Sequence, residues 1–185
     1  MTSAFTLSVL VLPTGTYFMA DPYVVENPDA EQIAEMTIRS AEAVRRFGVE
    51  PKVALLSHSN FGSASAPSAV KMRDALRLIT ARAPDLEVEG EMQADLAFHA
   101  ETRSRIFPSS QLQGSANLLI MPNLDAANIA FNMVKALGGG LAIGPTLLGV
   151  NKVAHIVTPS ITVRGLVNMS AVAVYDAQVC GGKAC

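Results

Sequence analysis

The sequence predicts an α/β fold in which a mostly parallel sheet carries helices on both faces. Short apolar runs alternate along the chain with longer stretches of helical periodicity, and Val53–Leu56 followed by the helical pattern up to Ile79 is the clearest example. A run that is apolar on both faces belongs in a sheet that is covered on both sides. Half of the 185 residues are apolar and only 16% are charged, which suits one ordinary domain with a sizeable core.

Local signals predict the first elements. Phe5–Leu12 is an apolar run that indicates a buried strand, and Tyr17–Ala20 and Tyr23–Val25 indicate short β segments. A helix is expected to follow Asp29, which is a good N-cap residue. Gln32 lies three residues later, in the position of a capping box, so the start of this helix is well defined.

The stretch around which the chain is organised joins the strand Val53–Leu56 to a helix that begins at Pro67. Ser65 is the expected N-cap of this helix, and the loop Ser57–Ala66 is rich in serine. Backbone N–H groups that converge between a strand end and a helix N-terminus bind anions, so the stretch predicts an anion site. An ordinary strand-to-helix connection is the alternative, because a Walker lysine and a full dinucleotide glycine pattern are both missing.

The second half of the chain continues the alternation. Thr162 is the expected N-cap of the last helix, and Glu89, Glu91 and Asp95 are expected to form the solvated start of an earlier one. Strands that alternate with helices imply parallel pairing through right-handed crossovers. The predicted strands are Leu86–Val88, Asn117–Met121, Leu141–Ile143 and Val153–Val157, and the predicted helices are Glu91–Ile106, Asp125–Leu137 and Val163–Val179.

Three predicted strands end in polar, flexible segments: Ser57–Ser63, Pro122–Asn128 and Gly144–Gly149. Ligands of parallel sheets bind beyond the carboxyl ends of the strands. Unpaired backbone N–H groups at these ends are available to a ligand. The candidate ligand-binding residues in these segments are Ser59, Asn60, Gly62, Ser63, Asn123, Asn128, Gly144 and Pro145.

Composition excludes several classes of partner. The net charge is −2, and neither a basic cluster nor an aromatic ladder is present, so no nucleic-acid partner is expected. No apolar run approaches the length of a membrane span, and the N-terminus lacks the features of a signal peptide. We therefore expect no membrane partner and a cytoplasmic location. No metal site is predicted either, because no His, Asp or Glu cluster has the spacing of metal ligands.

The histidines offer little support for catalysis. Ser57, His58 and Asp95 could be written as a Ser-His-Asp arrangement, but adjacent residues of a strand point to opposite sides and no nucleophile elbow is present. His58 is interpreted as a hydrogen-bonding loop residue, and His155 as a core histidine in a strand.

The hydropathy of the chain is higher than a free-standing domain needs. Mean hydropathy is +0.32. The predicted helix Val163–Val179 is apolar on most sides, as helices are when they are buried all round. Either subunits cover part of this surface, as in a homo-oligomer, or part of the fold is missing. We expect the helix to be covered by another chain or by an absent subdomain.

Several blocks of sequence, in the same order along the chain, resemble the phosphate acetyltransferase/butyryltransferase family. Within that family they are most similar to the domain at the C-terminus of bacterial NADP-dependent malic enzymes. The resemblance extends over nearly the whole chain, apart from the cysteine-bearing tail. The blocks are Asn27–Glu35, Val53–Ser63, Pro84–Asp95, Asn117–Asn128, Gly144–Gly149 and Ala154–Met169.

The resemblance implies a two-part architecture of the isocitrate/isopropylmalate dehydrogenase-like kind. Family members have two α/β subdomains, the second inserted into the first, with the ligand cleft between them. Residues 1–147 then correspond to the inserted subdomain, and residues 148–185 to the closing strand and helix of the first subdomain. The main part of the first subdomain, and the malic-enzyme catalytic portion, are absent from this sequence.

The resemblance also carries expectations about chemistry. Active members have a Ser-Arg-Gly-x-Ser-x-x-Asp stretch before the last helix, with the arginine for phosphate and the aspartate as base for the CoA thiol. The corresponding stretch here begins Thr158-Pro159-Ser160, with Pro159 at the arginine position and Gly165 at the aspartate position. Proline carries no charge and glycine takes no proton, so no catalytic residue is predicted. Thr158 and Ser160 are retained as candidate ligand contacts.

Three functions remain open at this point. The first is a regulatory and oligomerisation domain of a malic enzyme that binds acetyl-CoA, or a related acyl-CoA or acyl phosphate. The second is an active acyltransferase that moves acetyl between CoA and phosphate, with catalytic charges from a partner chain. The third is a purely structural oligomerisation module. Acyl exchange would select the second, binding without turnover the first, and the absence of both the third.

Overall fold

The computed structural model describes residues 4–159 and 161–181. Within this part of the chain six strands form one sheet, in the order β4-β3-β5-β2-β1-β6. Strands β2, β5, β3 and β4 run parallel to one another, and β1 is antiparallel to both of its neighbours. The strands are β1 (Phe5–Leu12), β2 (Gly15–Ala20), β3 (Val53–Leu56), β4 (Val88–Met92), β5 (Leu118–Ile120) and β6 (Leu141–Leu148).

The register brings the carboxyl ends of five strands to one edge of the sheet. Val53 of β3 pairs with Val88 of β4 on one side and with Leu118 of β5 on the other. β2 and β5 are also paired in parallel. The last residue of β6, Leu148, pairs with the first residue of β1, so β6 ends at the same edge. We call this side of the sheet the carboxyl edge.

Residues 4–159 and 161–181 contain six helices, which cover the two faces of the sheet. Alternate residues of β3 divide between the two cores: Val53 and Leu55 pack with α1 and α2, whereas Ala54 and Leu56 pack with α3 and α5. The predicted α/β class, with a mostly parallel sheet and helices on both faces, is therefore confirmed. The helices are α1 (Ala30–Arg46), α2 (Pro67–Arg82), α3 (Ala94–Phe98), α4 (Ala100–Ile106), α5 (Leu124–Leu137) and α6 (Val163–Val179).

Two predicted helix caps are confirmed, one cap was not predicted, and one prediction is wrong. The Asp29 side chain accepts from Gln32 N at 2.8 Å while Asp29 N donates to Gln32 Oε1 at 3.0 Å, so the predicted capping box is formed. Thr162 caps α6 as predicted, and Asn123 caps α5. Ser65 is the wrong N-cap for α2: Ala66 takes that position without a side-chain bond, and Pro67 begins the helix.

Two predicted strands are wrong, and a third is displaced. Residues 23–25 form no strand because their N–H groups donate to the carboxylate of Asp21 at 2.8–3.3 Å. Residues 153–157 also lie outside any strand. The strand expected at Leu86–Val88 is instead Val88–Met92, so Glu91 lies in β4 and not at the solvated start of a helix. The predicted helix Glu91–Ile106 is correspondingly two short helices, α3 and α4.

Helix α6 leaves much of its apolar surface uncovered. Leu166 is 49% exposed, Val167 62% and Val174 57%, whereas Met169 and Asp176 are buried. None of the helices in the described ranges is long and apolar enough to cross a membrane. The division of the chain at residue 147 remains a prediction.

Candidate functional site

The loop of residues 57–64 crosses the carboxyl edge between β3 and α2, and we call it the serine loop. Most of its backbone donors have partners within the chain. Ser57 N donates to Met92 O at 2.9 Å, and Phe61 N donates to Glu91 O at 2.7 Å. Asn60 N donates to Ser63 Oγ at 2.9 Å, and Gly62 N donates to Glu91 Oε1 at 2.9 Å. These N–H groups are therefore already paired.

The anion at the serine loop is the side chain of Glu91, which is fully buried. Its Oε1 accepts from Ser59 Oγ at 2.6 Å, from Gly62 N at 2.9 Å and from Arg73 NH1 at 2.8 Å. Burial alone would raise the pKa of Glu91, but the hydrogen bonds from Ser59, Gly62 and Arg73 hold its pKa below the ordinary value.

This arrangement corrects the predicted anion site. The sequence predicts that the loop N–H groups bind a ligand, whereas a carboxylate from the neighbouring strand accepts from Gly62 N. The reason is that β3 and β4 are adjacent and parallel, so the segment after β3 lies directly over the end of β4. Contact between a ligand and the side chains of Ser59, Asn60 or Ser63 remains a prediction.

Asn123 follows β5, the neighbour of β3 in the sheet, and Asn128 lies in the second turn of α5. The Asn123 side chain accepts from Ala126 N at 2.9 Å, and Asn128 Nδ2 donates to Pro22 O at 3.0 Å. Asn128 also lines a shallow cleft of about 180 Å³ together with Pro22, Tyr23, Leu124, Asp125 and Ile129. Burial raises the pKa of Tyr23 in this cleft.

Gly144 and Pro145 are separated from the serine loop. Three strands lie between β6 and β3, which at the usual spacing places them roughly 19 Å apart. Gly144 lies where the β1–β6 register shifts between Leu7 and Val9. Its φ is +122°, and a Cβ there would come within 3.2 Å of Leu7 O. The structure therefore assigns Gly144 a role in the sheet, and its predicted ligand contact does not belong to a pocket with Ser59.

The segment before α6 carries the remaining predicted site residues. Thr158 O accepts from Ile161 N at 3.0 Å, and Pro159 is exposed. Ser160 lies outside the described residues. Gly165 N donates to Thr162 Oγ1 at 3.0 Å. A Cβ at position 165 would come within 2.9 Å of Ile161 Cγ1, so the Ile161 side chain occupies the space that a larger residue would need.

His155 takes part in a buried polar cluster that the sequence did not predict. Its Nδ1 accepts from Leu147 N at 3.1 Å, and its Nε2 lies 3.3 Å from Asp176 Oδ2. Asp176 Oδ1 lies 3.2 Å from Arg46 Nε. The expected burial of His155 is confirmed, since its side chain is 5% exposed, although the segment is not a strand. Across the described ranges, no group of three or more His, Cys, Asp or Glu residues could hold a metal ion.

The fold and the sequence together define an acyltransferase-type α/β domain. Residues 1–174 match the phosphate acetyl/butaryl transferase family, so the chain belongs to this family. A phosphotransacetylase from Streptococcus pyogenes has a similar structure, with a TM-score of 0.92 and 30% identity over 97% of this chain. The EutD phosphotransacetylase from Staphylococcus aureus has a TM-score of 0.90 and 29% identity over 96% of this chain.

Among proteins of known function, the chain is similar to the NADP-dependent malic enzyme of Escherichia coli, with 51% identity over 177 residues. That match includes 95% of this chain and 23% of the malic enzyme. The phosphate acetyltransferase of Paracoccus denitrificans is 42% identical over 159 residues, which include 85% of this chain and 50% of the enzyme. The chain thus spans about a quarter of the malic enzymes, and 55% of each of the two phosphotransacetylase structures. It is a phosphate acetyltransferase-like domain of the kind found in malic enzymes and phosphotransacetylases.

Proposed function

We propose that this chain is the regulatory phosphate acetyltransferase-like domain of a malic enzyme. In this role it binds acetyl-CoA, or a related acyl-CoA or acyl phosphate, without transferring the acyl group. It also contributes to subunit association. The 51% identity to a malic enzyme over 95% of the chain supports the parent protein. The cytoplasmic location expected from the sequence stays a prediction.

The observation that carries this proposal is the pair Pro159 and Gly165. By resemblance, these positions hold the arginine for phosphate and the aspartate for the CoA thiol in active members. Pro159 brings no charge to a developing phosphate anion, and Gly165 brings no base. Ile161 Cγ1 lies 2.9 Å from the point where a side chain would begin at residue 165, so the local packing suits glycine. These features support binding without turnover.

The ligand class follows from the family. The phosphate acetyltransferases that the chain resembles are named for transfer of acetyl to phosphate. Polar side chains at the ends of β3 and β5, including Asn60 and Asn123, line the edge where parallel sheets bind ligands. They support an acyl-CoA or acyl-phosphate ligand at the carboxyl edge.

Calorimetry and an exchange assay on the same preparation test the proposal. Acetyl-CoA, CoA and acetyl phosphate are titrated separately into the 185-residue chain, and formation of acetyl phosphate from acetyl-CoA and phosphate is followed. We expect saturable binding of acetyl-CoA and no exchange above a protein-free control. Exchange that disappears in the N60A variant would support the active acyltransferase instead. The absence of both binding and exchange would support a structural module.

A further inference from the structure

Hydrogen bonds join the serine loop to the end of β4, some donated by the loop and some donated by Gln93. Gln93 N donates to Asn60 Oδ1 at 2.7 Å, and Gln93 Nε2 donates to His58 O at 3.1 Å. The ring of Phe61 stacks on the ring of Phe107 with centroids 4.2 Å apart. The loop is thus a fixed part of the carboxyl edge, and its conformation depends on groups that lie beneath it.

Glu91 makes hydrogen bonds that connect the serine loop to the rest of the chain. Ser59 Oγ, bonded to Glu91, also accepts from Ala64 N at 3.0 Å. Arg73 NH1 bonds the same carboxylate and also donates to Ala64 O at 3.0 Å. Glu91 Oε1 is therefore bonded directly to Ser59 and is linked to Ala64 through Ser59 and through Arg73 of α2.

Close approach of the strands brings Glu91 under the loop. A Cβ at Gly90 would lie 2.7 Å from both Leu55 Cβ and Leu55 O. The β3–β4 register shifts at this point, so that Leu55 pairs with Gly90 and Leu56 pairs with Met92. Glu91 falls in the shift, and its side chain meets Ser59 and Gly62 rather than a residue of β3.

We propose that Glu91 is the positioning residue for the ligand-facing serine loop. Its carboxylate takes the place that an external anion would occupy in a loop of this type, and so the loop contacts the acyl-CoA ligand through its side chains. The identity of the ligand as an acyl-CoA rests on the proposed function. The positioning of the loop by Glu91 does not, because it can be measured without a ligand.

Two replacements of Glu91 distinguish the effect of its charge from the effect of its size. The E91A variant leaves Ser59 Oγ, Gly62 N and Arg73 NH1 around a space of carboxylate size. Formate is a carboxylate that fits such a space, so added formate should partly restore the loop. The E91Q variant keeps an acceptor oxygen in the same position but loses the charge opposite Arg73, and it should lie between E91A and the unmodified chain.

Glu89 provides a matched control. It is a buried glutamate of the same strand, but it accepts from Gln111 N at 2.9 Å and makes no bond to the serine loop. The E89A variant therefore removes a second buried carboxylate from β4 and should leave the serine loop as it is.

The experiment measures hydrogen exchange of residues 57–64 and calorimetric affinity for acetyl-CoA in the full chain and its variants. Because hydrogen bonds to a charged group are strong, we expect E91A to speed exchange in the loop and to weaken binding by about tenfold or more, with E89A within about twofold. Formate should reverse both effects in E91A only.

Equal effects of E91A and E89A, or E91A effects that formate leaves unchanged, would overturn the positioning role. If E91A does not fold, E91Q and S59A are compared with E89A instead. Unchanged hydrogen exchange of residues 57–64 in both E91Q and S59A would overturn the positioning role. If the unmodified chain does not bind acetyl-CoA while loop exchange still depends on Glu91, the proposed function fails and the positioning role stands.

Discussion

The imidazole Nε2 of His155 lies 3.3 Å from the carboxylate Oδ2 of Asp176, with both side chains buried. The opposite nitrogen, Nδ1, accepts from Leu147 N at 3.1 Å, so Nε2 is the ring nitrogen on the side of Asp176. Asp176 in turn lies beside Arg46 of α1. One histidine thereby ties the segment before α6 to β6, to α6 and, through Asp176, to α1.

We expect the H155A variant to be destabilised by about 1–3 kcal/mol, since Leu147 N loses its acceptor and Asp176 loses a partner in a buried setting. Urea unfolding followed by circular dichroism measures the change. The control is H58A, because the side chain of His58 is exposed and a surface substitution of this kind stays within about 0.5 kcal/mol. Equal losses in the two variants would show that the buried cluster does not hold the segment.

The lowered pKa of Glu91 predicts the pH dependence of stability. Because the folded pKa lies below the ordinary value of 4.5, the contribution of this carboxylate is fully present above that value and is lost as the pH falls through the folded pKa. The difference in free energy of unfolding between the unmodified chain and E91Q should therefore stay constant from about pH 7 to about pH 5.5 and shrink below about pH 4.5. A difference that grows on acidification would contradict the assigned hydrogen bonds.

Gly90 should be intolerant of any side chain. Its φ is +154° and an added Cβ would meet Leu55 Cβ and Leu55 O at 2.7 Å, so G90A must move β3 and β4 apart. We expect a loss of about 3 kcal/mol or more in the free energy of unfolding, as for other overpacked sites. The control is G48A, where φ is +74° and the surrounding space is open, so only the backbone cost of about 1 kcal/mol should appear. Equal losses would mean that the strands are not closely packed at Gly90.

The exposed face of α6 predicts self-association of the chain. Val167 and Val174 lie seven residues apart, so they share one side of the helix, and both are more than half exposed. We expect light scattering to detect oligomers of the unmodified chain, and V167D/V174D to reduce their mass without changing the circular dichroism spectrum. Val172 of the same helix is half-buried and is therefore a poorer choice for substitution.

The control for this experiment places the same two charges elsewhere on the surface. S104D/S109D alters exposed positions outside α6 and should leave the mass of the oligomers unchanged. If the unmodified chain is a monodisperse monomer, the uncovered face of α6 does not bind a second copy.

Local sequence was sufficient for the elements whose signals lie within a few residues of one another. The capping box of Asp29 and Gln32 and the cap at Thr162 depend on contacts three residues apart, and both were predicted correctly. The fully apolar run Val53–Leu56 was also predicted correctly as a strand covered on both faces, because apolar burial is a property of the run itself. Resemblance of whole blocks then indicated the family before any geometry was known.

Contacts between polar groups that are distant in sequence became visible only in the folded chain. Glu91 was interpreted as a solvated helix residue, yet it lies 32 positions from Ser59 in sequence and 2.6 Å from its hydroxyl in space. Nothing in the sequence near His155 indicated its partner Asp176, which lies 21 residues further on, in α6. The order of the strands in the sheet brings these distant polar residues together. That order depends on how distant segments of the chain pack, which local sequence does not show. A glutamate in a strand and a glutamate at a solvated helix start cannot be distinguished by local sequence. The contacts of Glu91 in the folded chain show that the serine loop already binds a carboxylate.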